Sequence, residues 1–419
     1  MHMRNPKNVL NSLSIHSKDK NFKFERLYRI LYNEEMYLQA YQNIYANEGN
    51  MTKGSDGKTI DGMSMEWITI LISAMKDESY QPVPSRRTYI KKKNGKMRPL
   101  GIPAYADKLV QEIVRMILEA IYEGYFEPTS HGFRPNKSCH SALLQIQKKF
   151  TGTKWFIEGD IKGFFDNVNH TKLIQQMWSM GIRDKKLICI IRAMLKAPIC
   201  MPDGSIIHPE KGTPQGGILS PLLSNIVLNE LDWWVARQWE NMPMHTVTWL
   251  QDRPRRLKKT SKLKEMYIVR YADDCVITVG SSAAANRDMH TVTSWIERKL
   301  GLKVNATKTK VTKPTQLKYL GFGFWKGTDG WKARPHEDSV ARFKYKLKML
   351  TNRSWSVSMD ERIEKINAVI RGWINYFKIG NMKKVLVRID KHLRTRMRIV
   401  IWKQWKTGEK RYWGLRKLG

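Results

Sequence analysis

The sequence predicts an α+β fold, on three observations. Two apolar, β-rich runs, Met266-Tyr267-Ile268-Val269 and Cys275-Val276-Ile277-Thr278-Val279, flank Tyr271-Ala272-Asp273-Asp274, a pattern of strand, tight turn and strand with adjacent carboxylates at its tip. Trp155-Phe156-Ile157-Glu158-Gly159-Asp160 reads as a further strand that ends in an acid. Helical periodicity surrounds these strands. It is clearest over residues 107–123, where Leu109, Val110, Ile113, Val114, Ile117, Leu118 and Ile121 keep one face apolar. That stripe is core rather than a site.

The remaining elements follow in chain order. Residues 1–25 are polar and expected to be ordered only through contacts, while residues 25–48 read as helical, with Leu27, Leu31, Met36 and Tyr41 among the apolar positions. Turns follow at Gly54-Ser55-Asp56-Gly57 and at Asp61-Gly62. Over residues 80–103 the Asn94-Gly95 step sits between two basic arms, which is a β-hairpin signal. Taken alone, that string is better explained by a solvated basic hairpin than by a phosphate grip. Ser130–Pro135 reads as a loop and residues 138–150 as a short helix. The glycines and prolines of Gly212-Thr213-Pro214-Gln215-Gly216-Gly217 make a tight loop that opens a helix near Pro221 and lets backbone approach a ligand closely.

Residues 236–265 then interrupt the strands, with Pro243, Pro254 and seven basic residues between Arg253 and Lys264. This insertion reads equally well as an exposed segment that touches a polyanion through Arg255, Arg256, Lys258 and Lys259 and as a disordered basic loop. After residue 325 the chain becomes helical and basic. One stripe holds Val340, Phe343, Leu347 and Leu350; a second, opened by the capping box Ser358-Met359-Asp360-Glu361, holds Ile363, Ile366, Ile370, Trp373 and Phe377; a third holds Leu386, Ile389, Leu393, Met397 and Ile401. Three such helices can form a small bundle. Residues 381–419 carry thirteen basic residues and two acids, so one face, with Arg394 and Arg398, suits a nucleic-acid backbone.

Composition points the same way. Lys and Arg number 74 against 38 acids, a net charge of +36, and a balance this basic implies a polyanionic partner. Cys139, Cys189, Cys200 and Cys275 are widely spaced with no Cys-x-x-Cys pair, as expected of free thiols in a reducing compartment rather than a zinc site. No run of 18 apolar residues suggests a membrane span, and no signal peptide is evident.

Adjacent acids at an exposed turn repel one another unless a cation joins them. Divalent magnesium is the natural partner, because it takes carboxylate oxygens together with substrate phosphates. Asp160, about a hundred residues earlier, can complete a metal-binding triad with Asp273 and Asp274 on one sheet.

With these residues in place, the chain resembles the reverse transcriptase–maturases encoded in group II introns. The resemblance is carried by Ser130-His131-Gly132-Phe133-Arg134-Pro135, the Gly212–Pro221 loop, Val269-Arg270-Tyr271-Ala272-Asp273-Asp274, Tyr319-Leu320-Gly321-Phe322 and Arg371-Gly372-Trp373-Ile374-Asn375-Tyr376-Phe377. It implies a right-hand polymerase fold: an N-terminal extension over 1–60, fingers and palm over 61–325, and a helical thumb, called domain X in maturases, over 326–419. It also implies an RNA-directed DNA polymerase that copies RNA into cDNA with two Mg²⁺ ions, Mn²⁺ being a substitute. The implied partners are its own intron RNA, an RNA template with a DNA primer, dNTPs and target DNA, in a ribonucleoprotein of the bacterial cytoplasm.

Roles follow residue by residue from the resemblance. Asp160 and Asp273 bridge the metals, Asp274 is the third acid, and the Ile161 carbonyl completes the nucleotide-side ion. Lys92 and Arg98 match the triphosphate-binding pair, with Lys91 as the alternative to Lys92. Gln215 matches the residue that touches the incoming nucleotide, Lys308 a proton donor to pyrophosphate, and Leu317–Phe322 the primer grip. Phe165 matches the ring that excludes a 2′-hydroxyl, although with Phe164 adjacent it can also be plain core; Asp166 has a structural reading. The other classes weighed are an RNA-binding splicing cofactor with a dead polymerase and an RNA-dependent RNA polymerase. Loss of an acid would mark the first, and a Gly-Asp-Asp turn with a small or polar residue at 165 the second. Relatives in this family often continue into a DNA-binding segment and an endonuclease, and neither is evident before Gly419.

Overall fold

A computed structural model describes residues 5–92, 95–150, 154–242, 265–279, 282–328 and 330–418, together with Arg256, Leu257 and Lys259 of the insertion. Asn94, Arg255 and Lys258 lie outside the described residues. The strands in chain order are β1 (Ser85–Lys91), β2 (Met97–Ile102), β3 (Trp155–Gly159), β4 (Ile199–Cys200), β5 (Ile206–Ile207), β6 (Met266–Tyr271), β7 (Asp274–Val279), β8 (Lys310–Thr312), β9 (Phe322–Gly327) and β10 (Gly330–Pro335).

The central sheet has the order β6-β7-β3-β8 and every pairing in it is antiparallel. It is buried on both faces, which explains its near-continuous apolar runs. On β3, β6 and β7 successive residues alternate between two cores. Ile157, Ile268, Cys275 and Ile277 pack among the helices, while Phe156, Val269 and Val276 pack against Phe150, Leu317, Phe322 and Phe324. The first core is dominated by the helix Tyr105–Tyr122, whose expected stripe is wholly buried. A second sheet, β2-β1-β4-β5, holds the basic hairpin, and β9 and β10 form a separate two-stranded ribbon.

Two expectations need correction at the N-terminus. Residues 6–16 form a helix, Pro6–His16, with Asn5 as its cap, and Leu10 and Leu13 pack onto the core. Its two apolar contacts among many polar residues left too faint a period to read. Residues 25–48, read as helical without a break, hold two elements, a 3₁₀ turn Leu27–Tyr32 and a helix Glu34–Tyr45, because the Asn33 side chain caps the second by accepting from the Glu35 N–H.

The C-terminal bundle is built from Glu337–Leu350, Met359–Phe377 and Lys383–Gln404, followed by Gly408–Leu418. Phe343, Leu347, Ile366 and Ile389 form its core. Ile363, placed in the second stripe by its spacing, is 42% exposed instead. Arg362 occupies the interior, 1% exposed, where its guanidinium donates to the carbonyls of Leu350, Asn352 and Trp355 and ties the preceding loop. The boundary expected at 325/326 falls inside the β9–β10 ribbon, so the architecture changes only at Glu337.

Candidate active site

The register of the central sheet brings the three acids together. Gly159 on β3 lies opposite Cys275 on β7, so Asp160 and Asp274, the next positions outward, emerge at the same end of the sheet, with Asp273 in the adjoining turn. Glycine is required at 159 because a Cβ there would stand 2.6 Å from the Cys275 sulfur. The turn holds Ala272 at a φ of +57°, a left-handed conformation that costs a non-glycine residue about 1 kcal/mol or more.

Electrostatics show that the three carboxylates compete. Loss of surrounding water, and then the charges of Asp273 and Asp160, push Asp274 up to about 6. Asp273 is raised too, by desolvation and by Asp160, against the opposing pull of Lys308 and Arg98. Asp160 has already attracted a cation: Lys308 Nζ lies 3.0 Å from its Oδ1, and Asn305 Nδ2 donates to its Oδ2 at 2.8 Å. Among the described residues no three His, Cys, Asp or Glu side chains are gathered closely enough to hold a metal ion. The donor set still fits divalent ions, since it is hard oxygen, mutually repelling and already answered by an ammonium.

The residues expected on the nucleotide side lie on the segments that follow Asp160 and on the loop and hairpin bonded to them. Ile161 is buried and bridges to Val304, directly after Asp160. Gly163, at a φ of +54°, opens the short helix Phe164–Asn167. Phe164 takes the core position at 2% exposed, which leaves Phe165 half-buried beside it. The Thr213 N–H donates to the Phe165 carbonyl and the Gly212 N–H to that of Val168. A Cβ on Gly212 would meet the Asp166 backbone at 3.0 Å, so this close approach needs glycine. Gln215 is held between two anchors. Its carbonyl accepts from the Gly101 N–H of β2, and its side chain lies 3.3 Å from both carboxylate oxygens of Asp166.

In the basic hairpin Ile90 pairs with Arg98, and the Lys92 N–H donates to the Lys96 carbonyl. Strand alternation therefore puts Lys92 and Arg98 on one face and Lys91 on the other. Lys308 is exposed along with Lys92 and Arg98. Arg394 and Arg398 lie one turn apart on the exposed side of Lys383–Gln404, with Arg394 paired to Asp390 at 3.0 Å. In the insertion Arg256 and Lys259 are exposed around the buried Leu257.

The Tyr271–Asp274 turn also has a support that the motifs did not reveal. Arg270 is 1% exposed. Its guanidinium donates to both Asp232 oxygens, to Asn225 Oδ1, to Ser130 Oγ and to the Ala272 carbonyl. Asn225 in turn donates to the Gly132 carbonyl, and a Cβ on Gly132 would stand 2.3 Å from the Ala272 nitrogen. The Ser130–Pro135 loop and the helix Ser220–Gln238 thus clamp the turn from two sides.

His131 in that loop is buried, with Nδ1 2.7 Å from Ser141 Oγ and Nε2 beside Gln145 Oε1, and burial lowers it to about 4. The unfolded chain binds the proton near pH 6.5 and the folded chain only near pH 4, so acid costs stability across that window. We expect His131→Asn to remove this loss. Denaturation midpoints at pH 7 and pH 5 should converge for the variant relative to wild type. Parallel shifts of both proteins would assign the acid sensitivity elsewhere.

Sequence comparisons agree with the motifs. The family model for reverse transcriptase (RNA-dependent DNA polymerase) matches residues 90–324, and that for the group II intron maturase-specific domain matches residues 340–419. The chain is 41% identical to the group II intron-encoded protein LtrA of Lactococcus lactis subsp. cremoris, over 71% of this chain and 56% of LtrA. It is 35% identical to an uncharacterized 91 kDa protein in the cob intron of Schizosaccharomyces pombe, over 88% of this chain and 53% of that protein. Protein YkfC of Escherichia coli K12 is 32% identical over 70% of this chain and 81% of its own length. The chain spans about half the length of the first two.

Proposed function

The chain belongs to the group II intron reverse transcriptase–maturase family, and from that premise we propose that it copies RNA into DNA and binds its intron RNA to assist splicing and mobility. The observation that carries the reading is the convergence of Asp160, Asp273 and Asp274 at one end of the central sheet, beside Phe165, Gln215 and the basic hairpin. The family uses divalent metal ions; Mg²⁺, as two ions, is the specific expectation here.

Asp160, Asp273 and Asp274, with the Ile161 carbonyl, would hold the ions. When bound, these supply a lowered pKa for the primer 3′-hydroxyl and neutralise the charge that builds on the α-phosphate. The protein's own groups do the rest. Lys92 and Arg98 share a face of the hairpin and grip the triphosphate. Gln215, fixed by Gly101 and Asp166, orients the nucleotide. Lys308, 3.0 Å from Asp160, would offer a proton to the departing pyrophosphate. Phe165 lies under the sugar, since Phe164 already fills the core. The template–primer lies against the bundle, where Arg394 and Arg398 face its backbone. Arg255, Arg256, Lys258 and Lys259 add an RNA contact outside the cleft. Among the described residues no helix is long and apolar enough to cross a membrane. A ribonucleoprotein in the bacterial cytoplasm fits this reading and the bacterial source of LtrA.

The sugar gate tests the proposal. Phe165→Ala should lower discrimination against ribonucleotides by about 10- to 100-fold, while DNA synthesis persists. Competition between dNTPs and NTPs in primer extension measures this. Unchanged selectivity in a folded, active variant would return Phe165 to a core role.

A further inference from the structure

The helix Ser220–Gln238 serves two faces. Asn225 and Asp232 hold Arg270, whereas Ile226, Glu230, Trp233 and Arg237 fall on a neighbouring stripe at helical spacing. This second stripe opens into a pocket of about 400 Å³ that the polymerase reading does not use. Its walls are aromatic. Trp233 and Trp234 come from this helix, and Trp295 stacks on Trp234 with centroids 5.1 Å apart and ring planes 21° apart. All three indoles are half-buried rather than sealed in the core. Two cations stand at the rim, Arg237 over the Trp233 ring and Lys299, both exposed.

Tyr122 and Gln176 lie beneath the pocket; their hydroxyl and Oε1 are sealed from solvent without a hydrogen-bond partner among the described residues, while the Gln176 amide donates to the Val227 carbonyl at 3.4 Å. Buried acceptors and hydroxyls are normally satisfied, and leaving one unmade is costly. A core would place apolar atoms here. Flat aromatic walls and two cations at the mouth, beside the acidic Glu230, match one class of ligand, a nucleotide: the indoles stack on its base and the rim cations take its phosphate.

We propose that this pocket captures an unpaired nucleotide of a structured RNA, separately from the template–primer cleft. The proposal rests on the reading of the chain as an RNA-binding protein. Every base carries a π face, so the site selects an extruded nucleotide rather than a sequence.

The test measures binding of a single-stranded oligoadenylate to the full chain across a salt series, alongside extension of a short RNA–DNA primer–template. Arg237→Gln with Lys299→Gln should weaken oligoadenylate binding and flatten its salt slope by about 1.4, roughly 0.7 for each phosphate released. Trp295→Ala should weaken it about tenfold. A melting temperature near that of wild type is the control for folding of both variants. Ultraviolet crosslinks should map to peptides holding Trp234 or Trp295. Primer extension should stay at the wild-type rate in both. Unaltered affinity and slope in the folded variants, or crosslinks confined to the cleft and bundle, would overturn the proposal. If wild type fails to extend primers but binds oligoadenylate through these residues, the polymerase reading falls and this one stands.

Discussion

Asp273→Asn is expected to reduce primer extension by about a thousandfold or more while leaving RNA affinity within error of wild type. The two effects separate because different groups carry them. Asp273 sits in the turn between β6 and β7, where desolvation and Asp160 already disfavour its charge. Removing that charge relieves repulsion in the metal-free fold, so the melting temperature should hold or rise. RNA affinity comes from a chain with a net charge of +36, to which one carboxamide adds little. Near wild-type extension by the variant would remove Asp273 from the site. Equal loss of binding and extension with a lowered melting temperature would indicate misfolding.

Asp232→Ala should produce the largest loss of stability. The Arg270–Asp232 pair is buried, with side chains 1% and 0% exposed, and removing one partner leaves a charge with no water to solvate it. Breaking such a pair costs about 3–5 kcal/mol, which urea denaturation would register directly. Replacing both partners, Arg270→Met with Asp232→Leu, should recover part of that stability, because an apolar pair avoids the desolvation penalty. Activity should not return. Ala272 would keep its left-handed φ without the guanidinium that holds its carbonyl. Recovered activity in the double variant would mean that Arg270 only packs and does not position the catalytic turn.

The parts of the site that were legible in the sequence are those written locally. The Tyr-Ala-Asp-Asp turn needs only its flanking apolar runs, and Gly212–Pro221 needs only its glycines and prolines. Asp160 was legible because it follows a strand, and the pairing of β3 with β7 then sets it beside Asp274. The Arg270 network was not legible, since its partners lie 38, 45 and 140 residues away and each is an ordinary polar residue in its own segment. One signal was available. An arginine in the middle of the apolar strand before the acids requires a buried counter-charge, and Asp232 interrupts an otherwise apolar stretch of helix. Phe164 and Phe165 could not be ranked by sequence, because only the packed structure decides which ring the core takes. Ile363 misled for a related reason: its spacing fits the stripe, but the bundle turns that edge of the helix toward solvent.

The most direct test of the central claim is extension of a DNA primer annealed to an RNA template by the wild-type chain, with dNTPs and NTPs offered in parallel and Mg²⁺ supplied. We predict template-directed DNA synthesis with dNTPs, little product with NTPs, and none once the metal is chelated. Tight RNA binding without any extension would contradict the account and leave the three aspartates as remnants in a splicing cofactor.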